Sequence, residues 1–147
     1  MSGDLKLAAK LLEVGNSLVV VRDGRTLFSS RMPGIAPMLE ALDSNVLPGS
    51  AVADKVIGRA AAMIAVAGEA TSVYSPTMSQ EAVDVLTQAG MLYCSRTIVP
   101  IILDREKTRR CPVEAVTEFT MVPEKGVNAV RHLLQDLHHG AKVLYTH

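Results

Sequence analysis

From Ser50 onward the chain alternates short β-prone runs with segments of helical period, and this alternation constrains the fold more than any other feature of the sequence. Ala51-Val52-Ala53 is a brief apolar strand, and Asp54 onward reads as a buried, alanine-rich helix that ends near Gly68. The unit then repeats. Thr71 to Tyr74 is β-rich, Ser75-Pro76 interrupts it, and a helix runs from about Ser79 to Ala89 with Gly90 as its stop.

The flanking segments complete the pattern. Leu5, Ala8, Ala9 and Leu12 recur at helical spacing ahead of Gly15-Asn16, which predicts an amphipathic helix near residues 4–14. Ser17 to Val21 and Arg25 to Ser29 are extended runs joined by Asp23-Gly24, a favoured two-residue turn, and so form a β-hairpin. A connector helix around Met38, Leu39, Ala41 and Leu42 lies between Pro37 and Pro48-Gly49. Beyond Gly90, Met91 to Tyr93 and Thr97 to Leu103 read as strand and Asp104 to Arg110 as a charged loop. Two helices close the chain, near Pro112 to Phe119 and Glu124 to His139. A hairpin joined to βα units, with helices enough for both faces, describes an α/β fold: a three-layer α/β/α sandwich whose mixed sheet opens in a β-hairpin. At 147 residues the expectation is one domain spanning 1–147.

Composition removes whole classes of function. Lys plus Arg and Asp plus Glu number 15 each, so no net field holds a phosphate backbone or an anionic membrane. Aromatics are 3% of residues and Trp is absent, which leaves few stacking platforms; nucleic acid is not the expected partner. Cys94 and Cys111 form no disulfide framework, and Met1-Ser2-Gly3-Asp4 lacks the basic and apolar regions of a signal peptide, so a cytoplasmic location is expected. No apolar run reaches the roughly 18 residues a membrane helix needs. The positive mean hydropathy reads either as apolar surface covered by a second copy in a homo-oligomer or as the apolar area that monomers also expose.

Candidate chemistry concentrates at two junctions. Asp54 reads as a helix N-cap with Lys55 as a surface residue covering the helix. It also reads as the partner of a lysine that faces the crevice outside the strand ends and serves as anion ligand, proton donor or nucleophilic amine. Cys111 precedes Pro112 and Glu114 at a helix start, where the dipole lowers a thiol's pKa and Arg109 and Arg110 reinforce it; the competing reading is a small buried hydrophobe. The basic loop from Arg105 to Arg110 is either a grip for a phosphate or carboxylate or a solvated surface. His132, His138, His139 and His147 crowd the last sixteen positions without metal-ligand spacing, so neither a metal nor a cofactor is expected. There is no glycine-rich phosphate loop, and Ser75 and Ser79 have no neighbouring histidine to activate them.

Three stretches carry a resemblance. Ala53-Asp54-Lys55-Val56-Ile57-Gly58-Arg59-Ala60-Ala61-Ala62, Tyr74-Ser75-Pro76-Thr77-Met78-Ser79 and Cys111-Pro112-Val113-Glu114 together resemble the bacterial family known as domain of unknown function 1893, which resembles the cytidine deaminase-like superfamily in fold. In catalytic deaminases the first junction holds a His or Cys, then Ala, then the proton-shuttling Glu, and the second holds Pro-Cys-x-x-Cys around zinc. The resemblance sets Ala53 at the first zinc ligand, Lys55 at the glutamate, Pro76 at the proline and Thr77 and Gln80 at the two cysteines. It therefore implies a retained pocket without zinc: Lys55, Asp54 and Cys111 as its reactive groups, and Ala53, Thr77, Met78, Ser79, Arg109 and Arg110 as residues that hold a small polar or anionic metabolite at the head of a helix starting at Asp54. The alternative is a ligand-sensing or oligomerising module with no turnover.

Overall fold

The computed structural model describes residues 1–146, and the side chains of residues 1–137. His147 and the side chains of His138 and His139 lie outside the described residues.

Helix α1 (Gly3–Glu13) begins where the Ser2 hydroxyl accepts a hydrogen bond from the Leu5 amide at 3.2 Å, and it buries Leu5, Ala8, Ala9 and Leu12 along one stripe. The hairpin of β1 (Leu18–Arg22) and β2 (Arg25–Ser30) turns at Asp23 and Gly24, both at positive φ as a tight hairpin turn demands. Asp4 of α1 accepts from both turn amides, at 2.9 and 2.8 Å, and so ties the helix to the hairpin tip.

Helix α2 (Ala36–Asp43) leads into β3 (Ala51–Asp54), β4 (Val56–Ile57) and α3 (Arg59–Ala67). There follow β5 (Ser72–Ser79), α4 (Gln80–Gln88), β6 (Leu92–Val99), the one-turn α5 (Pro112–Ala115) and the long α6 (Pro123–Thr146). β1 runs antiparallel to both β2 and β3, whereas β3, β4, β5 and β6 are parallel. Ala53 opposes Tyr74 and Val56 opposes Thr77, so β3 and β4 hold one register against β5 and are a single strand interrupted at Lys55. Among the described residues, six strands and six helices thus make a mixed α/β fold, with the sheet ordered β2, β1, β3/β4, β5, β6.

The two faces of the sheet are unequally clothed. Val19, Val21, Ala51, Ala53 and Tyr74 pack on α1 alone. Leu18, Val20, Val52, Ile57, Val73 and Met78 face a thick layer built from α2, α3, α4 and α6. Val52 and Ile57 share that face although they are five residues apart, and so do Val73 and Met78. Strict two-residue alternation would put the members of each pair on opposite faces. The parity changes because each parallel strand jogs at the same level: pairing skips Lys55 in the first, and Pro76 and Arg96 in the next two. In β5 the Ser75 hydroxyl donates to the Thr77 carbonyl at 2.7 Å, and in β6 Ser95 donates to the Thr97 carbonyl at 3.0 Å, so two identical Ser-x-Thr turns sit side by side.

These jogs account for the departures from the sequence expectation. Asp54 does not open a helix; it ends β3, and α3 starts at Arg59 behind the N-cap Gly58. β5 does not stop at Tyr74 but runs through Pro76 to Ser79, and residues 92–99 form one strand where two were expected. The helix expected from Pro112 to Phe119 is a single turn.

Candidate functional site

β1 begins at Leu18, opposite Asp54, and the last rung on that side is the Ser17 carbonyl, which accepts from the Lys55 amide at 3.1 Å. Past the jog the strand continues as β4 with nothing paired to its β1 side. The segment before α2 (Arg31 to Ile35) and the long loop after β6 lean over this notch, and together they enclose a cavity of about 420 Å³. Asp54 and Lys55 come to it from the sheet, Cys111 from the loop, and Glu114 from α5. Segments more than fifty residues apart in sequence therefore converge on one cleft.

Its base is the head of α3. Gly58 is the N-cap and supplies no side chain, so the free amides of the first turn find their acceptor elsewhere. The Glu114 carboxylate takes the Ala60 amide at 3.3 Å and also faces that of Arg59. A Cβ at position 58 would overlap this carboxylate, so glycine is required for close approach and not for its backbone conformation. Glu114 is buried, and burial holds its carboxyl above the usual range, against the pull of those amides; Glu81 adds to the rise and Arg110 opposes it. Its own turn is fixed by Thr117, whose hydroxyl donates to the Glu114 carbonyl at 2.9 Å, and by the buried Arg59, whose Nε donates to the Thr117 carbonyl at 2.8 Å. The same guanidinium reaches the Thr120 carbonyl.

Asp54 is half-buried at the inner edge of the cleft. Desolvation pushes its carboxyl up to about 7, with the amides of Val56 and Lys55 acting in the opposite direction. The expected pairing with Lys55 is not formed: Lys55 is exposed at the rim, where it borders both this cleft and a shallow depression beside Pro76. Arg31 and Arg105, also exposed, complete a basic mouth. Ile35, Val56, Ala61, Ile102 and Val113 supply apolar walls.

Cys111 is half-buried in the wall of the cleft and is the N-cap residue of α5, but its side chain makes no capping hydrogen bond and a single turn has little aligned dipole to offer. The two arginines before it turn elsewhere. Arg110 donates to both Glu81 oxygens at 2.7 Å and sits 3.4 Å from Glu118, while Arg109 is exposed beside Asp104. The residues expected to hold a ligand are otherwise engaged as well. Ala53 is fully buried against α1, Met78 is core in the helical layer, Ser79 caps α4 by accepting from the Ala82 amide at 3.0 Å, and Thr77 is held by Ser75 on the far side of β4. None of these four, and neither arginine, lines the cleft.

The deaminase zinc does not fit this chain. Ala53 has no donor atom and packs against α1, and among the described residues no three His, Cys, Asp or Glu side chains group closely enough to hold a metal ion. Arg31 was not singled out by sequence, and Arg105 entered only as the first residue of the basic loop. Glu114 was read, two residues after Pro112, as a helper of its own helix and in fact serves another.

The family model described as TM1506, domain of unknown function (DUF1893), matches residues 7–134. Among solved structures, the chain is similar to a DUF1893 family protein (TM1506) from Thermotoga maritima, with 24% sequence identity, 92% of each chain covered and a TM-score of 0.79. No curated protein matches.

Proposed function

The chain belongs to the DUF1893 family, and we propose that this member binds a small polar metabolite in the cleft between β4, the segment before α2 and the loop after β6. The observation that carries the reading is the convergence of Asp54, Lys55 and Cys111 with the buried Glu114 on one cavity of about 420 Å³, a size suited to a metabolite and too small for a macromolecule. A cavity with apolar walls and a few charged groups at fixed places is the usual form of a small-ligand site. The cytidine deaminase-like fold belongs to the same reading. It is supported by a sheet that opens in an antiparallel hairpin and continues as parallel βα units. The anion site implied at the head of a helix beginning at Asp54 is dropped, because that head lies at Arg59 and Glu114 already occupies it.

A catalytic version of the reading is favoured by Asp54. A carboxyl titrating near 7 takes and gives protons at physiological pH, and Cys111 lines the same cavity as a nucleophile that needs no metal. The test is a thermal-shift screen of the whole chain against nucleosides, nucleotides, folates, amino acids and small carboxylates, followed by alkylation of Cys111 with iodoacetamide. A ligand at 100 times its Kd stabilises by roughly 2.7 kcal/mol, an easily seen rise in Tm. The expected outcome is at least one stabilising compound, with its effect lost on alkylation and weakened in Lys55→Ala. No shift from any class of compound would overturn the proposal.

A further inference from the structure

Charge in the cleft is sorted by depth, and the sorting narrows the ligand. Arg31, Lys55 and Arg105 are exposed at the mouth, whereas Asp54 is half-buried and Glu114 buried at the base, with aliphatic walls between them. A ligand carrying only an anion could be gripped at the mouth but would present nothing to two carboxyls below. A ligand carrying only a cation would have to pass three cations to reach them. The amides of the α3 head, which would serve an inner anion, are already taken by Glu114. Building on the ligand-site reading above, we propose that the cleft takes a small zwitterion, an α-amino acid or a close relative, with its ammonium group inward against Asp54 and Glu114 and its carboxylate outward among Arg31, Lys55 and Arg105.

The arrangement has a proton consequence. The titratable and charged groups that line the cleft with Asp54 are Lys55 next to it in sequence, Arg31 before α2, Arg105 and Cys111 from the loop, and Glu114 from α5; none of them forms an ion pair with it. An ammonium placed there favours the ionised carboxylate, so binding below about pH 7 releases a proton and affinity climbs as the pH is raised from 5.5 to 7.5.

The test uses the full chain and titration calorimetry with the twenty common amino acids, then compares the tightest binder with its deaminated acid and its decarboxylated amine. The amino acid is expected to bind about tenfold or more tightly than either analogue, since each lacks one charge-assisted set of hydrogen bonds. Asp54→Asn is expected to bring the amino acid and its deaminated acid within about threefold of each other, and the double variant Lys55→Ala/Arg105→Ala, whose changes are at the exposed mouth, to do the same for the amino acid and its amine. A deaminated acid that binds as tightly as the amino acid overturns the zwitterion and leaves the ligand site standing. So does a nucleoside or nucleotide that binds where no amino acid does. Failure of every class of compound overturns both.

Discussion

At the end of β5 the chain enters α4 through Ser79, whose own hydroxyl accepts from the Ala82 amide; at the end of β4 it enters α3 through Gly58, and the acceptor is a carboxylate 56 positions further along, Glu114. Both junctions stand at the carboxyl edge of the same parallel sheet and both helices pack in the same layer. The first is closed by its own hydroxyl, with Ser79 and Ala82 both buried and outside the cleft. The second has a glycine where the side chain should be, a buried acid lent by a distant segment, and a cleft beside it. A helix that caps itself leaves its neighbourhood free to pack, whereas a helix capped from afar makes the arriving segment part of a site, because the visiting side chain must be held, oriented and partly desolvated.

The sharpest way to break this contrast is Gly58→Ala. The new methyl would overlap the Glu114 carboxylate, which must then leave the α3 head and surrender the Ala60 amide. Overpacking and a lost cap together are expected to cost about 3 kcal/mol in urea unfolding, and to change the alkylation rate of Cys111 as the α5 turn shifts. A loss below about 0.5 kcal/mol would mean that Glu114 is not fixed at this junction, and the comparison would collapse.

Asp54→Asn has the second largest expected effect, of opposite sign. The folded-state carboxyl sits near 7 and the unfolded one near 3.8, so the folded chain holds a proton that the unfolded chain gives up. Stability is therefore greatest below about pH 4 as far as this group is concerned, falls as the pH rises to 7, and is flat beyond. The asparagine variant is expected to be more stable than the parent by on the order of 2 kcal/mol at pH 8 and nearly equal to it at pH 4. Raised stability with weakened ligand binding is the signature of a residue kept for function at the expense of the fold. Denaturant midpoints at the two pH values decide it, and an unchanged difference between them would show that Asp54 is not desolvated.

The same contrast explains what the sequence disclosed. The hairpin was legible because Asp23-Gly24 encodes its turn locally, α1 because Leu5, Ala8, Ala9 and Leu12 recur at helical spacing, and α4 because Ser79 is a cap three residues from the amide it serves. The start of α3 was not, since Asp54 imitates an N-cap while the real cap lies far along the chain, and the jog at Lys55 disguises β4 as the first turn of a helix. The strand break expected at Ser75-Pro76, and the gap expected between Tyr93 and Thr97, have one cause: Ser-x-Thr shifts the side-chain parity without ending the strand. Asp54, Lys55 and Cys111 could be named because strand ends and helix starts are where chemistry is sought. The basic loop brought Arg105 in with Cys111, but that Arg31 joins them, and that Glu114 serves the head of α3, is a product of folding alone.

Ser79→Ala, the smallest change, tests the quiet half of the comparison. Removing the hydroxyl leaves the Ala82 amide without its acceptor in a buried setting, and the expected cost is about 1 kcal/mol, to be measured by urea unfolding. Because the cap is local and no cleft adjoins it, the loss is expected to appear in global stability alone: the alkylation rate of Cys111 and the affinity for any ligand found in the screen are expected to match the parent. If Ser79→Ala instead alters either, the two junctions are coupled. The short routes for that coupling meet at Glu81, in the first turn of α4 two residues beyond Ser79: Arg110 joins it to the Cys111 loop, and Arg59, 4.0 Å away, joins it to the head of α3. Adding Glu81→Gln to Ser79→Ala would then abolish the extra effect, since it removes the charge that both arginines meet and leaves the Glu114 cap of α3 in place.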